Sequence, residues 1–152
     1  MRPLYIFDLD GTLALCDHRR HFVENRANRW DEFYAACVDD TPNHAVIGVM
    51  RALELCNAEI YIFSGRSDAV FDETIDWLNK HVSRTPHNNF WNLTMRKKGN
   101  FTADDVLKKK WYDELSQYDK DRLVATFDDR DRIVAMWRSL GITCFQVAPG
   151  NF

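Results

Sequence analysis

The sequence predicts an α/β fold built on a mostly parallel sheet, and three observations carry that expectation. Short apolar runs alternate along the chain with amphipathic stretches at helical spacing. The apolar runs have no polar alternation, as expected of strands buried on both faces. No repeat, low-complexity tract or Gly/Ser linker interrupts the pattern over the 152 residues, a length suited to one domain.

The strands are expected at Leu4–Phe7, Ile60–Phe63, Leu123–Phe127 and Ile142–Val147, with a weaker one near Trp91–Met95. Asn43–Cys56 places Val46, Val49, Met50 and Leu53 at helical spacing, with Pro42 suited to the first turn. Asp68–His81 aligns Phe71, Ile75 and Leu78 on one stripe. Thr102 and Asp105 resemble a capping box opening a helix to about Leu115. Arg130–Leu140 groups Ile133, Trp137 and Leu140, with Gly141 as the C-cap residue. The stretch of about residues 14–41 fits no strand pattern; it is read as a small helical cap inserted over the strand ends.

Composition narrows the class. Hydrophobic residues make up 45% and charged residues 28%, ordinary for a soluble globular chain. No apolar run approaches the roughly 20 residues that span a bilayer. Leu4–Phe7 ends at an aspartate with no small-residue cleavage site, so it is read as a strand rather than a signal segment, and a cytoplasmic location is expected. Cys16, Cys37, Cys56 and Cys144 form no close pair, which argues against zinc and redox motifs and for reduced, mostly buried thiols. The tryptophans are expected in the core, Trp91 least firmly. His18, His21, His44, His81 and His87 receive no role. A net charge of −3 gives no global attraction to nucleic acid but leaves room for local cations.

Four local patterns point to one crevice. Phe7-Asp8-Leu9-Asp10-Gly11-Thr12 sets two carboxylates at i and i+2 directly after a buried strand, where open α/β sheets place ligands. Gly11 permits a tight turn, and Thr12 offers a hydroxyl and an amide to an anion. Ile60–Phe63 runs into Ser64-Gly65-Arg66, read as a strand-to-helix turn that aims amide and hydroxyl donors at an anion. Leu123–Phe127 delivers Asp128 and Asp129, adjacent acids that need a compensating cation; with Asp8 they make an oxygen-rich site suited to Mg²⁺. Among Lys108, Lys109 and Lys110, only Lys108 lies beside the stripe of Leu107, Trp111 and Leu115, so it alone is expected to point inward. Each pattern alone is also what a turn, an N-cap or a solvated face produces; their agreement carries the argument.

In that order, FDLDGTL, FSGR, a helical lysine and FDDR resemble the haloacid dehalogenase superfamily of phosphatases. The stretches Asp104–Lys108, Asp128–Arg130, Val134–Arg138 and Gln146–Phe152 make the chain most similar to the 3′-phosphatase domain of phage polynucleotide kinase/phosphatase. The resemblance covers about Leu4 to Phe152. It implies Mg²⁺ as cofactor, Asp8 as nucleophile, Asp10 as general acid/base holding a proton, and Ser64 and Lys108 on the phosphoryl oxygens. It further implies that Asp8, the main-chain carbonyl of Asp10, Asp128 and Asp129 hold the metal, and that Arg66, Arg96 and Arg130 face the phosphate. Thr12 and Gly65 complete the expected phosphate-binding set. The chain contains no G-x-x-x-x-G-K-[ST] loop, so kinase activity is not expected of it, and a separate kinase or ligase partner is. Two substrates fit: polynucleotide 3′ ends, favoured by Arg19, Arg20, Arg26, Arg29, Arg96, Lys97 and Lys98 with aromatics Phe22, Trp30, Phe33 and Tyr34; or nucleoside monophosphates, favoured by the negative net charge. Most of those aromatics are expected to pack as the cap's own core.

Overall fold

β1 (Leu4–Phe7) is apolar along its length because it lies in the middle of the sheet, with Leu4, Ile6 and Phe7 buried. Burying side chains of this size stabilises a fold by roughly 1.5–3 kcal/mol each. The computed structural model describes residues 1–85 and 89–152, so His87 lies outside the described residues. β2 (Ala14–Leu15) and β3 (Thr41–Pro42) form a separate antiparallel pair. β4 (Glu59–Ser67), β5 (Trp91–Arg96), β6 (Leu123–Asp128) and β7 (Cys144–Gln146) join β1 in a five-stranded sheet of order β5-β4-β1-β6-β7. Every pairing in that sheet is parallel.

The helices are α1 (Trp30–Ala35), α2 (His44–Leu55), α3 (Phe71–His81), α4 (Asp104–Asp113), α5 (Gln117–Arg122) and α6 (Asp131–Ser139). Side chains of successive strand residues point to opposite faces, and β1 shows the result. Phe7 packs with Met50 of α2 and with Trp77 and Leu78 of α3 on one face. Ile6 packs with Ile133 and Trp137 of α6 and Trp111 of α4 on the other. Residues between β2 and β3 fold as short 3₁₀ turns around α1.

Several local expectations are corrected. β4 continues through Ser67 with a register shift between Ser64 and Ser67, so Ser64-Gly65-Arg66 lies in an irregular strand end and not in a strand-to-helix turn. Ser67 caps the next turn by accepting from Ala69 N–H. Thr102 is not a cap: the N-cap position of α4 is Ala103, with no side-chain cap bond, and α4 ends at Asp113 before α5. Pro42 sits in β3, and Asn43 precedes α2. Phe71 and Val49 are exposed, because Thr74, Trp77 and Leu78 face the core from α3 and Val46, Ile47 and Met50 do so from α2. Trp30 and Cys56 are exposed as well. Gly141 does follow α6 with φ +77, the left-handed geometry a C-cap glycine supplies. No helix among the described residues is long and apolar enough to cross a membrane.

Candidate active site

The carboxyl ends of β1, β4 and β6 open into one cavity of about 680 Å³, lined by Asp8, Asp10, Arg66, Lys108, Asp128 and Asp129 among others. Asp8 leaves β1 nearly buried, and both its oxygens are held. Lys108 Nζ donates to Oδ1 at 2.7 Å, and Thr12 Oγ1 donates to Oδ2 at 3.1 Å. Lys108 also donates to Asp128 Oδ2 at 2.7 Å, while Asp128 Oδ1 accepts from Arg130 N–H at 3.1 Å. Lys108 is thus the inward lysine, and Lys109 pairs with Asp113 on the exposed face. Thr12 is fully buried and spends its hydroxyl on Asp8. Gly11 has φ +85, and a Cβ there would lie 2.1 Å from Asp129 Oδ2, so the turn admits only glycine without displacing that carboxylate.

Asp8, Asp128 and Asp129 each offer an oxygen within 4.8 Å of the others. Three carboxylates face one ammonium, and the imbalance shows in their proton affinities. Burial and the Asp128 charge push the Asp8 carboxyl well above the usual range despite Lys108. Burial and Asp128 push Asp129 up to about 6. An oxygen-only, anion-rich donor set of this kind fits Mg²⁺. The Asp10 side chain lies outside that trio.

Asp10 is instead gripped by two arginines. Arg66 Nη2 donates to its Oδ1 at 2.5 Å and Arg19 Nη2 at 2.8 Å. Both guanidiniums also reach Asp40 Oδ2, at 3.0 and 2.7 Å, and Arg19 Nε donates to Asp40 Oδ1 at 2.7 Å. Burial alone would raise Asp10, but Arg66 and Arg19 outweigh it and hold the carboxyl below its ordinary value. From the protein's own groups alone, Lys108 included, Asp10 is thus the stronger acid, the opposite of the expected order.

The remaining expected residues stand as follows. Ser64 is fully buried, its Oγ accepting from Arg66 N–H at 3.2 Å, and it does not line the cavity. Gly65 lets Asp104 approach, since a Cβ would lie 2.8 Å from its Oδ1. Arg96 donates to the carbonyls of Gly65, Asn100 and Thr102 and pairs with Asp104, and Arg130 pairs with Asp104 Oδ2 at 2.6 Å. Arg66, Arg96 and Arg130 line the cavity, with their guanidiniums engaged by protein acceptors. Of the expected aromatics, Phe33 is buried beneath Arg19, whose guanidinium lies 4.3 Å from the ring centroid. Arg26 and Arg29 are exposed and do not line the cavity. No spacing marks Asp40 in the sequence, and Arg19 is expected there only as one of the local cations favouring a polynucleotide substrate.

Residues 2–152 match the family model described as the polynucleotide kinase PNKP phosphatase domain. The chain belongs to this family. The phosphatase domain is 31% identical over 142 residues to a protein of Autographa californica nuclear polyhedrosis virus assigned as a bifunctional polynucleotide kinase/RNA ligase, covering 92% of this chain and 18% of the viral one. It superposes on one chain of the Pnkp1/Rnl/Hen1 complex with TM-score 0.81 at 28% identity, covering 99% of this chain and 48% of that one. The phosphatase domain thus spans about half, or less, of these relatives. The class C acid phosphatase of Bacillus anthracis shares the fold alone, with TM-score 0.60 at 17% identity, covering 99% and 67% of the two chains.

The crowded carboxylates give the metal-free phosphatase domain an expected pH signature. Asp129 binds its proton more tightly folded than unfolded, so its stabilisation is complete below about pH 4 and is lost as pH rises through about 6. Asp8 acts in the same direction. Asp10, held low, changes stability only at more acid pH. In chelator, thermal unfolding is expected to show a stability loss of roughly 3 kcal/mol or less from Asp129 between these limits. Millimolar Mg²⁺ should flatten that slope; equal slopes with and without Mg²⁺ would count against a metal site here.

Proposed function

We propose that this chain is a Mg²⁺-dependent phosphomonoesterase that removes 3′-phosphates from polynucleotide ends through an aspartyl-phosphate on Asp8. The observation carrying this reading is the buried Asp8 carboxylate, fixed by Lys108 and Thr12 beside Asp128 and Asp129. The family match and the nucleic-acid repair context named for its relatives support the choice of substrate.

Asp8, Asp128 and Asp129 would hold Mg²⁺, with the Asp10 carbonyl as a further ligand. When bound, the cation supplies positive charge that keeps Asp8 ionised and offsets its repulsion of a phosphate dianion. Asp8 attacks phosphorus; the bond from phosphorus to the leaving oxygen breaks, and Asp10 gives that oxygen its proton. Arg19 and Arg66 hold Asp10 ionised, so the proton it relays must be taken up from solvent or from a substrate monoanion as the substrate binds; the same arginines then favour its release to the leaving oxygen. Asp10 then takes a proton from the water that attacks the aspartyl-phosphate, releasing phosphate and restoring Asp8. Lys108 neutralises charge on the transferring group, and Ser64, Gly65, Arg66, Arg96 and Arg130 shape its surroundings. Residues 14–41 act as a cap over the site. The chain works in the cytoplasm beside a separate kinase or ligase, as the composition of its relatives supports.

The deciding measurement is phosphate release with Mg²⁺ from an oligonucleotide 3′-phosphate, its 5′-phosphate counterpart, and nucleoside 3′- and 5′-monophosphates. Strong preference for the 3′-phosphorylated oligonucleotide is expected. Equal or better turnover of mononucleotides would replace this reading with nucleotide metabolism.

A further inference from the structure

Arg96 is buried, yet it spends two donors on a surface loop. Its Nη1 holds the carbonyls of Asn100 at 3.0 Å and Thr102 at 2.6 Å. Thr102 N–H donates to Asn100 Oδ1 at 2.9 Å, and Asn100 N–H closes on the Lys97 carbonyl at 3.0 Å. Gly99, at φ +81, makes the turn possible. Residues 97–102 are therefore fastened from beneath and line the mouth of the active-site cavity.

Phe101 stands on this fastened loop with 87% of its surface exposed, more than any other large hydrophobic side chain among the described residues. It enters no aromatic or cation–π pair among them. Folding gains almost nothing from a phenylalanine so placed, because its apolar area stays in water. The neighbouring charges are equally open. The Lys97 side chain is 86% exposed, 3.8 Å from Asp68, and Lys98 meets Asp68 only through its main-chain N–H. An exposed ring with two lysines on the same fastened loop, at the rim of the active-site cavity, is an arrangement suited to single-stranded nucleic acid: a stacking face for a base and cations for the backbone.

We infer that Phe101 is the stacking platform for the base beside the scissile 3′-phosphate, and that Lys97 and Lys98 contact the phosphates on its 5′ side. Phe101 is then a specificity-determining residue for strands over mononucleotides. The inference rests on the polynucleotide reading above and names how that substrate is held.

The test is steady-state kinetics on a 3′-phosphorylated single-stranded oligonucleotide and on p-nitrophenyl phosphate, for wild type, Phe101→Ala, Phe101→Trp and the double variant Lys97→Ala/Lys98→Ala. Phe101→Ala is expected to raise KM for the oligonucleotide about tenfold or more while leaving p-nitrophenyl phosphate kinetics unchanged. Phe101→Trp should restore oligonucleotide KM, since any large ring stacks. The lysine variant should flatten the salt dependence of oligonucleotide KM by about one to two in logarithmic slope. Wild-type oligonucleotide kinetics in Phe101→Ala, or an equal loss on both substrates, would overturn the inference and leave the polynucleotide reading standing. A wild-type enzyme that ignores the oligonucleotide yet hydrolyses p-nitrophenyl phosphate would overturn both.

Discussion

Replacing Asp8 by asparagine is expected to lower phosphate release by on the order of 10⁴-fold or more while the protein stays folded. Asparagine keeps the shape and can still accept from Lys108, which retains Asp128 as its second partner at 2.7 Å. The substitution also removes one of three crowded carboxylates whose charge burial disfavours. The metal-free Asp8→Asn protein should therefore melt at the same temperature as wild type or higher. Stabilisation by added Mg²⁺ should shrink, because one of three side-chain ligands is gone. Turnover within tenfold of wild type would sink the covalent scheme. Loss of activity together with loss of fold would show that Asp8 is structural first.

Asp40→Asn is expected to act in the opposite manner, on stability before chemistry. Asp40 and Asp10 together balance two guanidiniums that are almost wholly out of water. Removing one charge of such a network leaves the others buried and unpaid by solvent, typically a cost of about 3–5 kcal/mol. Against a total stability of about 5–15 kcal/mol, that is a large fraction. Urea unfolding measures it as a shift in midpoint at constant slope. Asp39→Asn, at the exposed neighbouring position, should move the midpoint little. An Asp40→Asn midpoint equal to that of wild type would mean that Asp10 and water suffice for the two guanidiniums.

The contrast between these residues explains what the sequence could reveal. Asp8, Asp128 and Lys108 were legible because each is tied to a regular element: two follow strands buried on both faces, and the third sits beside a helical stripe. Periodicity decides where such side chains point, and a site at strand ends inherits that certainty. Even the weak strand expected near Trp91–Met95 is present, running from Trp91 to Arg96. Arg19 and Asp40 were opaque for the converse reason. They lie in 3₁₀ turns and at a turn's end, where no period fixes direction, and their partnership spans 21 positions. The same irregularity hid the bulged end of β4, where Ser64 and Arg66 meet protein groups and Arg66 also lines the cavity. Arg19, expected as a local cation for a polynucleotide, is the buried side chain of its 3₁₀ turn, which no composition argument could have shown.

The position of β1 has a consequence for how the chain acquires its chemistry. The first strand in sequence is the middle strand in space: Phe7 is in register with Ile62 on one side and Phe127 on the other. The lysine that meets Asp8 lies 100 positions away. Contacts of such separation close late and cost more chain entropy than local ones, so folding is governed by long-range search rather than by helix formation. During synthesis Asp8 has only Thr12 within local reach, and its contacts to Lys108 and the acids at the end of β6 wait until those segments have followed it. Asp8, its lysine and the acidic pair therefore meet only when β1, α4 and β6 are all in place.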